Sequence, residues 1–234
     1  ATGSVPTALP IPGIDLPGVM TSDDILALEQ LPQSLCVVGG GVIGMEFAGI
    51  FNSFGVAVTV IEFCKEILPN VDKDVAKRLR SYLQREGVNF CTSAAVKQIA
   101  AGAEGGLEVT YEQKGKTLTC NAEKVLVSVG RRPNIPAGAD AVGIEIGRRG
   151  IVTDDNLCTN VPGVYAIGDV NGKCMLAHAA SFQGKVALAH ILGKSSAVKL
   201  DIVPGAVFTV PEVGMVGLTE EQCKERGLNF VVKK

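Results

Sequence analysis

The run Gly39-Gly40-Gly41-Val42-Ile43-Gly44 constrains the fold of this 234-residue chain more than any other feature. A short apolar run, Ser34–Val38, precedes it and is typical of a buried parallel strand. The stretch from Val42 to Phe54 is long enough for a helix. A second apolar run, Val56–Ile61, predicts another strand, and Glu62 follows it directly. This order of strand, glycine turn, helix, strand and acid predicts a dinucleotide-binding βαβ unit.

Each residue type in this pattern has a physical role. Gly39 permits a tight turn, Gly41 lets backbone N–H groups approach a pyrophosphate at the helix N-terminus, and Gly44 lets the helix pack closely on the strand. Glu62 is placed to accept hydrogen bonds from an adenosine ribose, and its charge would repel a 2′-phosphate. The same glycines could serve a tight turn in another α/β protein, but the coincidence of strand, helix, second strand and terminal acid favours a dinucleotide site. The charge of the acid favours NAD(H) over NADP(H).

Composition excludes several classes of partner. A net charge of −2 gives no reason to expect nucleic acid or an anionic membrane, and the absence of Trp argues against base-stacking surfaces. None of the seven cysteines forms a C-x-x-C or C-x4-C pair, so we expect neither a metal site nor a local redox disulfide. Free thiols used as small apolar residues indicate a reducing, cytoplasmic compartment. The first residues, Ala1–Pro6, lack the charged start and apolar core of a signal peptide.

The elements around the glycine turn suggest a parallel sheet with an inserted antiparallel meander. Residues 1–21 are rich in Pro and Gly and are predicted to form an extended linker, with Ser22 capping a short helix. The further predicted elements are a helix from Asp72 to Leu83 with Val75, Leu79 and Leu83 on its apolar stripe, a strand Val88–Cys91, a hairpin of Leu107–Tyr111 with Thr117–Cys120, and a strand Lys124–Val129.

The second half of the chain changes character. It is loop-rich, and its predicted elements are strands Ile151–Thr153 and Val164–Ile167, a helix Ala179–Leu192, strands Val207–Thr209 and Val213–Val216, a helix opened by a capping box at Thr219, and a strand Phe230–Val232. We therefore predict an α/β protein with boundaries at residues 1–30, 31–134, 135–203 and 204–234.

Six short blocks occur in a fixed order along nearly the whole chain. They are Ala1–Ser4, Gly39–Glu46, Gly130–Asn134, Tyr165–Asp169, Met175–His178 and Pro211–Val213. Jointly they resemble the flavoprotein disulfide reductases, the pyridine nucleotide-disulfide oxidoreductase family, and within it the dihydrolipoamide dehydrogenase branch. The resemblance implies a Rossmann-like NAD-binding domain at 31–134 after a flavin-domain end and linker at 1–30. It also implies the second half of an FAD-binding domain at 135–203 and the start of an α+β dimerisation domain at 204–234.

The resemblance also implies roles for individual residues. The implied NAD site comprises Gly39, Gly40, Gly41, Val42, Ile43, Gly44, Met45, Glu46, Glu62, Val96 and Gly130. The implied FAD contacts are Thr2, Gly3, Ser4, Asp169, Met175, Leu176, Ala177 and His178. Glu46 is implied to pair with a lysine from outside this chain, near the contact between flavin and nicotinamide.

The implied activity is electron transfer from protein-bound dihydrolipoamide, through a disulfide and FAD, to NAD+. In the family the redox-active cysteine pair precedes the first matching block, and the histidine base follows the last one. The chain is therefore expected to be an internal piece with no catalytic residue of its own, from a homodimeric enzyme that serves a 2-oxo acid dehydrogenase complex, in the mitochondrial matrix if eukaryotic. An NADH oxidase, a coenzyme A-disulfide reductase and a non-catalytic NAD-binding module remain alternatives.

Overall fold

The computed structural model describes residues 1–103 and 105–233, which form a mixture of helices and short strands. The helices are α1 Ser22–Ile25, α2 Val42–Ser53, α3 Lys73–Arg85, α4 Ala177–Ile191 and α5 Glu220–Glu225, with a 3₁₀ helix at Gly168–Asn171. The strands are β1 Ser4–Pro6, β2 Val19–Met20, β3 Ser34–Val38, β4 Ala57–Glu62, β5 Asn89–Thr92, β6 Ala94–Ala101, β7 Leu107–Gln113, β8 Lys116–Ala122, β9 Lys124–Val127, β10 Arg131–Pro133, β11 Ile146–Gly147, β12 Gly150–Ile151, β13 Gly205–Val207 and β14 Val213–Met215. The predicted α/β class is confirmed.

The chain divides into two compact units. The smaller unit comprises Ala1–Val5 with Arg131–Gly205, and the larger unit comprises Pro6–Gly130 with Ala206–Lys234. Each unit therefore joins segments that are distant in sequence. The glycine turn lies in the larger unit, whereas the predicted flavin contacts lie in the smaller one.

A parallel sheet forms the centre of the larger unit. Its strand order is β2-β9-β3-β4-β5, and every neighbouring pair in it is parallel. The helix α2 connects β3 to β4, as the glycine-turn pattern predicts. The carboxyl ends of β3, β4 and β9 consequently lie at one edge of the sheet, where parallel α/β sheets bind their ligands.

Both faces of this sheet are buried, which explains the nearly continuous apolar sequence of its strands. Along β3, Leu35 and Val37 join a cluster with Met45 of α2 and Leu79 of α3. The alternate residues of the same strand, including Val38, join a second cluster on the opposite face. The helices therefore cover one face and the antiparallel sheet covers the other.

The antiparallel sheet has three strands, in the order β6-β7-β8. The predicted hairpin is confirmed, since Thr110 of β7 lies opposite Thr119 of β8. Strand β6 was not predicted, because apolar and polar residues alternate irregularly in its sequence. In the structure its pairing with β7 shifts register between Val96 and Gln98. The buried residues Ile99, Leu107 and Val109 face the parallel sheet and join the second cluster.

The N-terminal segment is extended, as predicted, and its apolar residues pack on the larger unit. Leu9, Ile11, Ile14 and Leu16 pack against the second cluster. The Pro12 carbonyl accepts a hydrogen bond of 2.9 Å from the Ile99 N–H. This Pro- and Gly-rich segment therefore covers part of the antiparallel sheet.

Two predicted details of the helices are wrong. Thr21, and not Ser22, caps α1, because its hydroxyl accepts the Asp24 N–H while the Asp24 carboxylate accepts the Thr21 N–H. In α3, Ala76 is buried with Leu79 and Leu83, whereas Val75 is exposed. The observed spacing i, i+3, i+7 and the predicted spacing i, i+4, i+8 both fit the period of a helix. The apolar character of Val75 therefore favoured the wrong one of the two stripes.

The smaller unit is built from short elements. Strand β1 pairs with β10, and β11 pairs with β12 in an antiparallel two-residue ladder. The helix at the end of this unit is confirmed as α4, and it begins two residues before its predicted start. The predicted strand Val164–Ile167 is wrong, since only a single bridge joins Tyr165 to Cys158.

The C-terminal segment packs on the larger unit. Val207 of β13 and Val213 of β14 are buried in the cluster under the helices. The capping box at Thr219 is confirmed, and α5 follows it. The predicted strand Phe230–Val232 is not formed, because no neighbouring strand offers it hydrogen bonds within the described part of the chain.

Within residues 1–103 and 105–233, no helix has both the length and the apolar character needed to cross a lipid bilayer.

Candidate nucleotide-binding site

The glycine turn is held between the ends of two neighbouring strands. The Gly39 N–H donates to the Ile61 carbonyl at 2.9 Å, and the Ser128 N–H donates to the Val38 carbonyl at 2.8 Å. Gly39 has φ +108°, and a Cβ there would lie 2.6 Å from the Ser128 carbonyl oxygen. Glycine is therefore required at this position by both backbone conformation and space.

The N-terminus of α2 opens directly from this turn. Gly41 is the N-cap residue, with extended backbone and no side-chain hydrogen bond to the first turn. A Cβ at Gly41 would meet no atom within 4 Å, so the space beside it is open. Backbone N–H groups at an open helix N-terminus, with the positive end of the helix dipole, suit the pyrophosphate of a dinucleotide.

Gly44 lets the helix approach the sheet. A Cβ on this residue would collide with the Gly39 carbonyl oxygen and lie 2.8 Å from the Ser128 hydroxyl. The Ser128 hydroxyl is buried and donates toward the carbonyls of Val38 and Gly39, at 3.2 and 3.1 Å. The role of Ser128 was missed in the sequence, where the residue is only one position within the predicted strand Lys124–Val129.

Glu62 lies at the end of β4 and is only 7% exposed. One carboxylate oxygen accepts the Gly40 N–H, and the other accepts the Cys64 N–H at 2.5 Å. Partial burial, and then the Glu62 carboxylate, raise the pKa of the Cys64 thiol. Glu62 therefore fastens the glycine turn to β4, and its remaining lone pairs can accept ribose hydroxyls.

A loop from residue 63 to 71 lies against the glycine turn, and this contact was not predicted from the sequence. The buried Leu68 donates its N–H to the Gly40 carbonyl at 2.8 Å and has φ +50°, a left-handed conformation that is costly for Leu. Glu66 of the same loop receives Nε and Nη2 of Arg80 at 2.6 and 3.1 Å. Hydrogen bonding to Glu66 raises the pKa of Arg80. This two-pronged contact between Arg80 and Glu66, called the fork below, anchors the loop to α3.

The remaining predicted residues of α2 have mixed surroundings. Met45 is fully buried in the cluster under the helices, whereas Val42 and Ile43 are half-buried. The half-buried Glu46 accepts the Phe208 N–H at 2.9 Å through Oε1. The structure thus gives Glu46 a backbone partner in the C-terminal segment of the same unit.

Val96 and Gly130 lie on separate segments of the larger unit. The Ser93 N–H donates to the Cys64 carbonyl at 2.8 Å, which places the start of β6 beside the loop after Glu62. Val96, three residues further on, is half-buried against the second cluster. Gly130 follows β9 with φ +114°, and its carbonyl accepts the Thr7 N–H at 3.0 Å.

In the smaller unit, the first predicted flavin residues meet the Gly-Asp turn. The Ser4 hydroxyl donates to Oδ2 of Asp169 at 2.6 Å and accepts Nε of Arg131 at 2.8 Å. Thr2 and Gly3 exchange hydrogen bonds with Asn134, including Asn134 N–H to the Gly3 carbonyl at 2.9 Å. Since Ser4 uses one carboxylate oxygen of Asp169, lone pairs remain for a polyol hydroxyl.

The run Met175–His178 leads into α4. Leu176 is the N-cap residue of this helix and, like Gly41, supplies no side-chain hydrogen bond to its first turn. His178 donates Nε2–H to the Pro204 carbonyl at 2.8 Å, so its ring has a structural partner. The open backbone of Met175 to Ala177 is suited to contact a phosphate-bearing cofactor.

The matching family model extends over residues 1–184 and is described as "Pyridine nucleotide-disulphide oxidoreductase". The match covers more than half of the chain, so the chain belongs to the pyridine nucleotide-disulphide oxidoreductase family, whose members use FAD and NAD(H).

The curated relatives of this chain include dihydrolipoyl dehydrogenases. The protein of Bacillus subtilis is 39% identical over 241 residues, covering 100% of this chain and 50% of the relative. The protein of Geobacillus stearothermophilus is 41% identical over 242 residues with the same coverage. A leghemoglobin reductase of Glycine max is 39% identical and is covered to 45% of its length. The chain spans about half the length of these relatives.

Solved structures of flavoprotein disulfide reductases have the same fold. The HOCl-induced reductase RclA of Escherichia coli, as its Cu(II) complex, superimposes with a TM-score of 0.86 at 33% identity. The alignment covers 97% of this chain and 52% of the other. The predicted family and the predicted α/β fold are therefore confirmed.

Proposed function

We propose that the larger unit binds NAD(H) at the glycine turn, and that this chain is the nicotinamide-nucleotide part of a dihydrolipoyl dehydrogenase-like enzyme. The observation that carries the proposal is the open N-terminus of α2 at Gly41, next to the buried Glu62 at the end of β4. The NAD contacts are proposed to be the residues from Gly39 to Glu46 together with Glu62, Val96 and Gly130.

The proposed reaction of the longer protein passes electrons from dihydrolipoamide through a disulfide and FAD to NAD+. The hydride chemistry is supplied by the cofactors. The residues of this chain bind and orient the nucleotide, and Glu62 holds the turn in shape through Gly40 and Cys64. Because the chain contains no C-x4-C pair, we expect it to show no lipoamide-dependent turnover alone.

The smaller unit is proposed to contribute half of an FAD site. Asp169, oriented by Ser4, would accept a ribityl hydroxyl, and the backbone from Met175 to His178 would contact the pyrophosphate side. Thr2 and Gly3 are ordered by Asn134 and would close the same pocket. Since the other half of a flavin pocket is not encoded in these blocks, a purified chain should retain little flavin absorbance after gel filtration.

The longer protein is proposed to be a homodimer that takes its electrons from a lipoyl domain of a 2-oxo acid dehydrogenase complex. The dihydrolipoyl dehydrogenases among the relatives support this choice. We place it in the cytoplasm, or in the mitochondrial matrix of a eukaryote. A NADH oxidase or coenzyme A-disulfide reductase is the second candidate, because the E. coli neighbour RclA shows that the same fold serves other disulfide reductases.

Calorimetric titration of the chain with NADH and with NADPH tests the binding proposal. We expect NADH to bind at least about tenfold more tightly, since a 2′-phosphate would meet the Glu62 carboxylate. In Gly41→Ala, a methyl group would enter the space proposed for the pyrophosphate, so NADH binding should weaken while the fold is retained.

Gly49→Ala on the same helix is the matched control, because a Cβ there also meets no atom within 4 Å, and it should bind NADH normally. Equal affinity for NADPH would refute the assignment of Glu62. Unchanged NADH binding by Gly41→Ala would refute the assignment of the helix terminus.

A further inference from the structure

The larger unit contains a group of thiols that the proposed nucleotide site does not use. Cys36 of β3 is fully buried, and Cys91 of β5 and Cys120 of β8 are partly buried. All three belong to the second cluster, between the parallel and the antiparallel sheets. The described residues hold no group of three or more His, Cys, Asp or Glu side chains arranged to bind a metal ion, so the thiols are better considered in pairs.

Cys36 and Cys120 lie in the second cluster, on strands that approach each other. The Glu123 N–H donates to the Ser34 hydroxyl at 3.0 Å, and the Gln33 N–H donates to the Glu123 carboxylate at 2.7 Å. The start of β3 therefore lies against the end of β8. Cys36 is two residues beyond Ser34 and Cys120 three residues before Glu123, comparable distances at about 3.3 Å per residue.

Thr59 of β4 is the direct register partner of Cys36 and a further neighbour of the pair. The hydrogen bond from Cys36, supported by Thr59, lowers the pKa of Cys120 to about 7 against the opposing effect of burial. The same contact with Cys120, followed by burial, raises the pKa of Cys36.

We propose that Cys36 and Cys120 form a reversible disulfide when the protein meets a peroxide, with Cys120 as the attacking thiolate and Cys36 as the resolving thiol. The accessible member of the pair reacts first, because Cys120 is partly exposed and Cys36 is not. The disulfide would tie the strand that leads into the glycine turn to the inserted antiparallel sheet. The proposal does not depend on nucleotide binding.

The reaction balances with the peroxide as the oxidant. The Cys120 thiolate attacks one oxygen of the peroxide, the O–O bond breaks, and a sulfenic acid and hydroxide form. The Cys36 sulfur then attacks the sulfenic sulfur, the S–O bond breaks, and the Cys36 proton leaves with the hydroxyl group as water. Two thiols are thus oxidised by two electrons in total, and one peroxide is reduced.

Cys91 lies in the same cluster but has a different partner. Its sulfur is 3.3 Å from the hydroxyl oxygen of Tyr111, and hydrogen bonding to Cys91 raises the pKa of Tyr111. The titratable groups around Cys120 are therefore Cys36 from β3, Cys91 from β5 and Tyr111 from β7. Cys91 is the matched control for the pair, and the exposed Cys64 is the reference for a solvent-facing thiol.

The test treats the reduced chain with equimolar hydrogen peroxide, blocks the remaining thiols and maps the peptides under non-reducing conditions by mass spectrometry. We expect a peptide pair joined between Cys36 and Cys120 that dithiothreitol separates. Cys91→Ala should form the same pair, whereas Cys36→Ala should stop at a sulfenic acid on Cys120 that dimedone traps.

A second measurement covers the case in which Cys36→Ala does not fold. The rate of Cys120 alkylation should rise with pH to a midpoint of about 7. Thr59→Val should slow the oxidation of Cys120 about fivefold at pH 7, the factor for losing one hydrogen bond to the thiolate. Oxidation of Cys64 while Cys36 and Cys120 remain free thiols, or a disulfide that joins Cys91 instead, would overturn the proposal.

Discussion

Gly41 and Gly44 lie three residues apart at the start of α2, yet their surroundings are opposite. Gly44 is enclosed by the Gly39 carbonyl and the Ser128 hydroxyl, whereas the position of a Cβ on Gly41 is open. One glycine is therefore required for the fold, and the other leaves room for a ligand. The sequence pattern assigned both roles, but the partner that encloses Gly44 became known only from the structure.

Substitution of these glycines should separate stability from binding. Gly44→Ala should lower the free energy of unfolding by about 1–3 kcal/mol, because overpacking against a backbone carbonyl forces the helix to shift. Gly49→Ala, on the same helix, should raise it by about 0.5–1 kcal/mol through helix propensity. Chemical denaturation measures both changes. A Gly44→Ala variant as stable as the wild type would contradict the close contact between helix and strand.

Glu62 should matter for stability as well as for binding. Glu62→Ala would leave the N–H groups of Gly40 and Cys64 without their carboxylate acceptor, so we expect a loss of about 1–3 kcal/mol in the free energy of unfolding. Glu112→Ala is the control, because its ion pair with Lys97 is exposed and should contribute about 1 kcal/mol or less. If thermal melting of the Glu62 variant matched that of the control, the fastening role of Glu62 would be wrong.

The sequence predicted the glycine turn and the terminal acid because short-range patterns specify both. It did not predict Ser128, the backbone partner of Glu46, or the fork between Glu66 and Arg80, since these contacts join residues that are distant in sequence. Tertiary contacts of this kind leave no periodic signal. The roles of the predicted NAD and FAD residues remain predictions.

Among the elements, the strands and helices of the larger unit were predicted well where both faces of the sheet are buried. The predicted strand Ser34–Val38 has the observed bounds, and the helix after Val42 ends one residue before its predicted end. Short apolar runs were less informative. Val164–Ile167 and Phe230–Val232 have strand-like composition, but a strand also needs a neighbour with free hydrogen-bonding groups.

The loop from residue 63 to 71 gives a prediction about local order. Arg80→Lys would replace the two-pronged contact with Glu66 by a single one, and Leu68 would be held less firmly against Gly40. We expect hydrogen exchange at the Leu68 amide to accelerate about fivefold or more, which corresponds to about 1 kcal/mol of local stability. Arg78→Lys on the exposed face of α3 should leave this rate unchanged. Equal rates in the two variants would show that the fork does not anchor the loop.

At the scale of the whole molecule, the C-terminal segment of the larger unit carries several exposed apolar side chains. Phe208, Val210, Val216 and Val231 are between 60 and 83% exposed, although Val207 and Val213 beside them are buried. Several exposed apolar side chains within one short segment favour association. We therefore expect the chain to self-associate as its concentration rises.

Light scattering across a concentration series measures this association. The double variant Phe208→Lys with Val231→Lys should shift the onset to higher concentration, while the Phe208 N–H can still bond Glu46. The control Leu26→Lys with Leu31→Lys changes two exposed apolar residues elsewhere in the same unit and should have a smaller effect. A strictly monomeric wild type at every concentration would contradict the expectation.

The central claim is that the N-terminus of α2 holds the pyrophosphate of NAD(H). Amide chemical shifts of the isotope-labelled chain, recorded by NMR during a titration with NADH, test it most directly. The account predicts that the largest changes fall on Gly41, Val42, Ile43 and Gly44, while the amide of Gly115 in the hairpin turn does not move. Saturable binding with unchanged amides in this turn, and with its largest shifts elsewhere, would contradict the account.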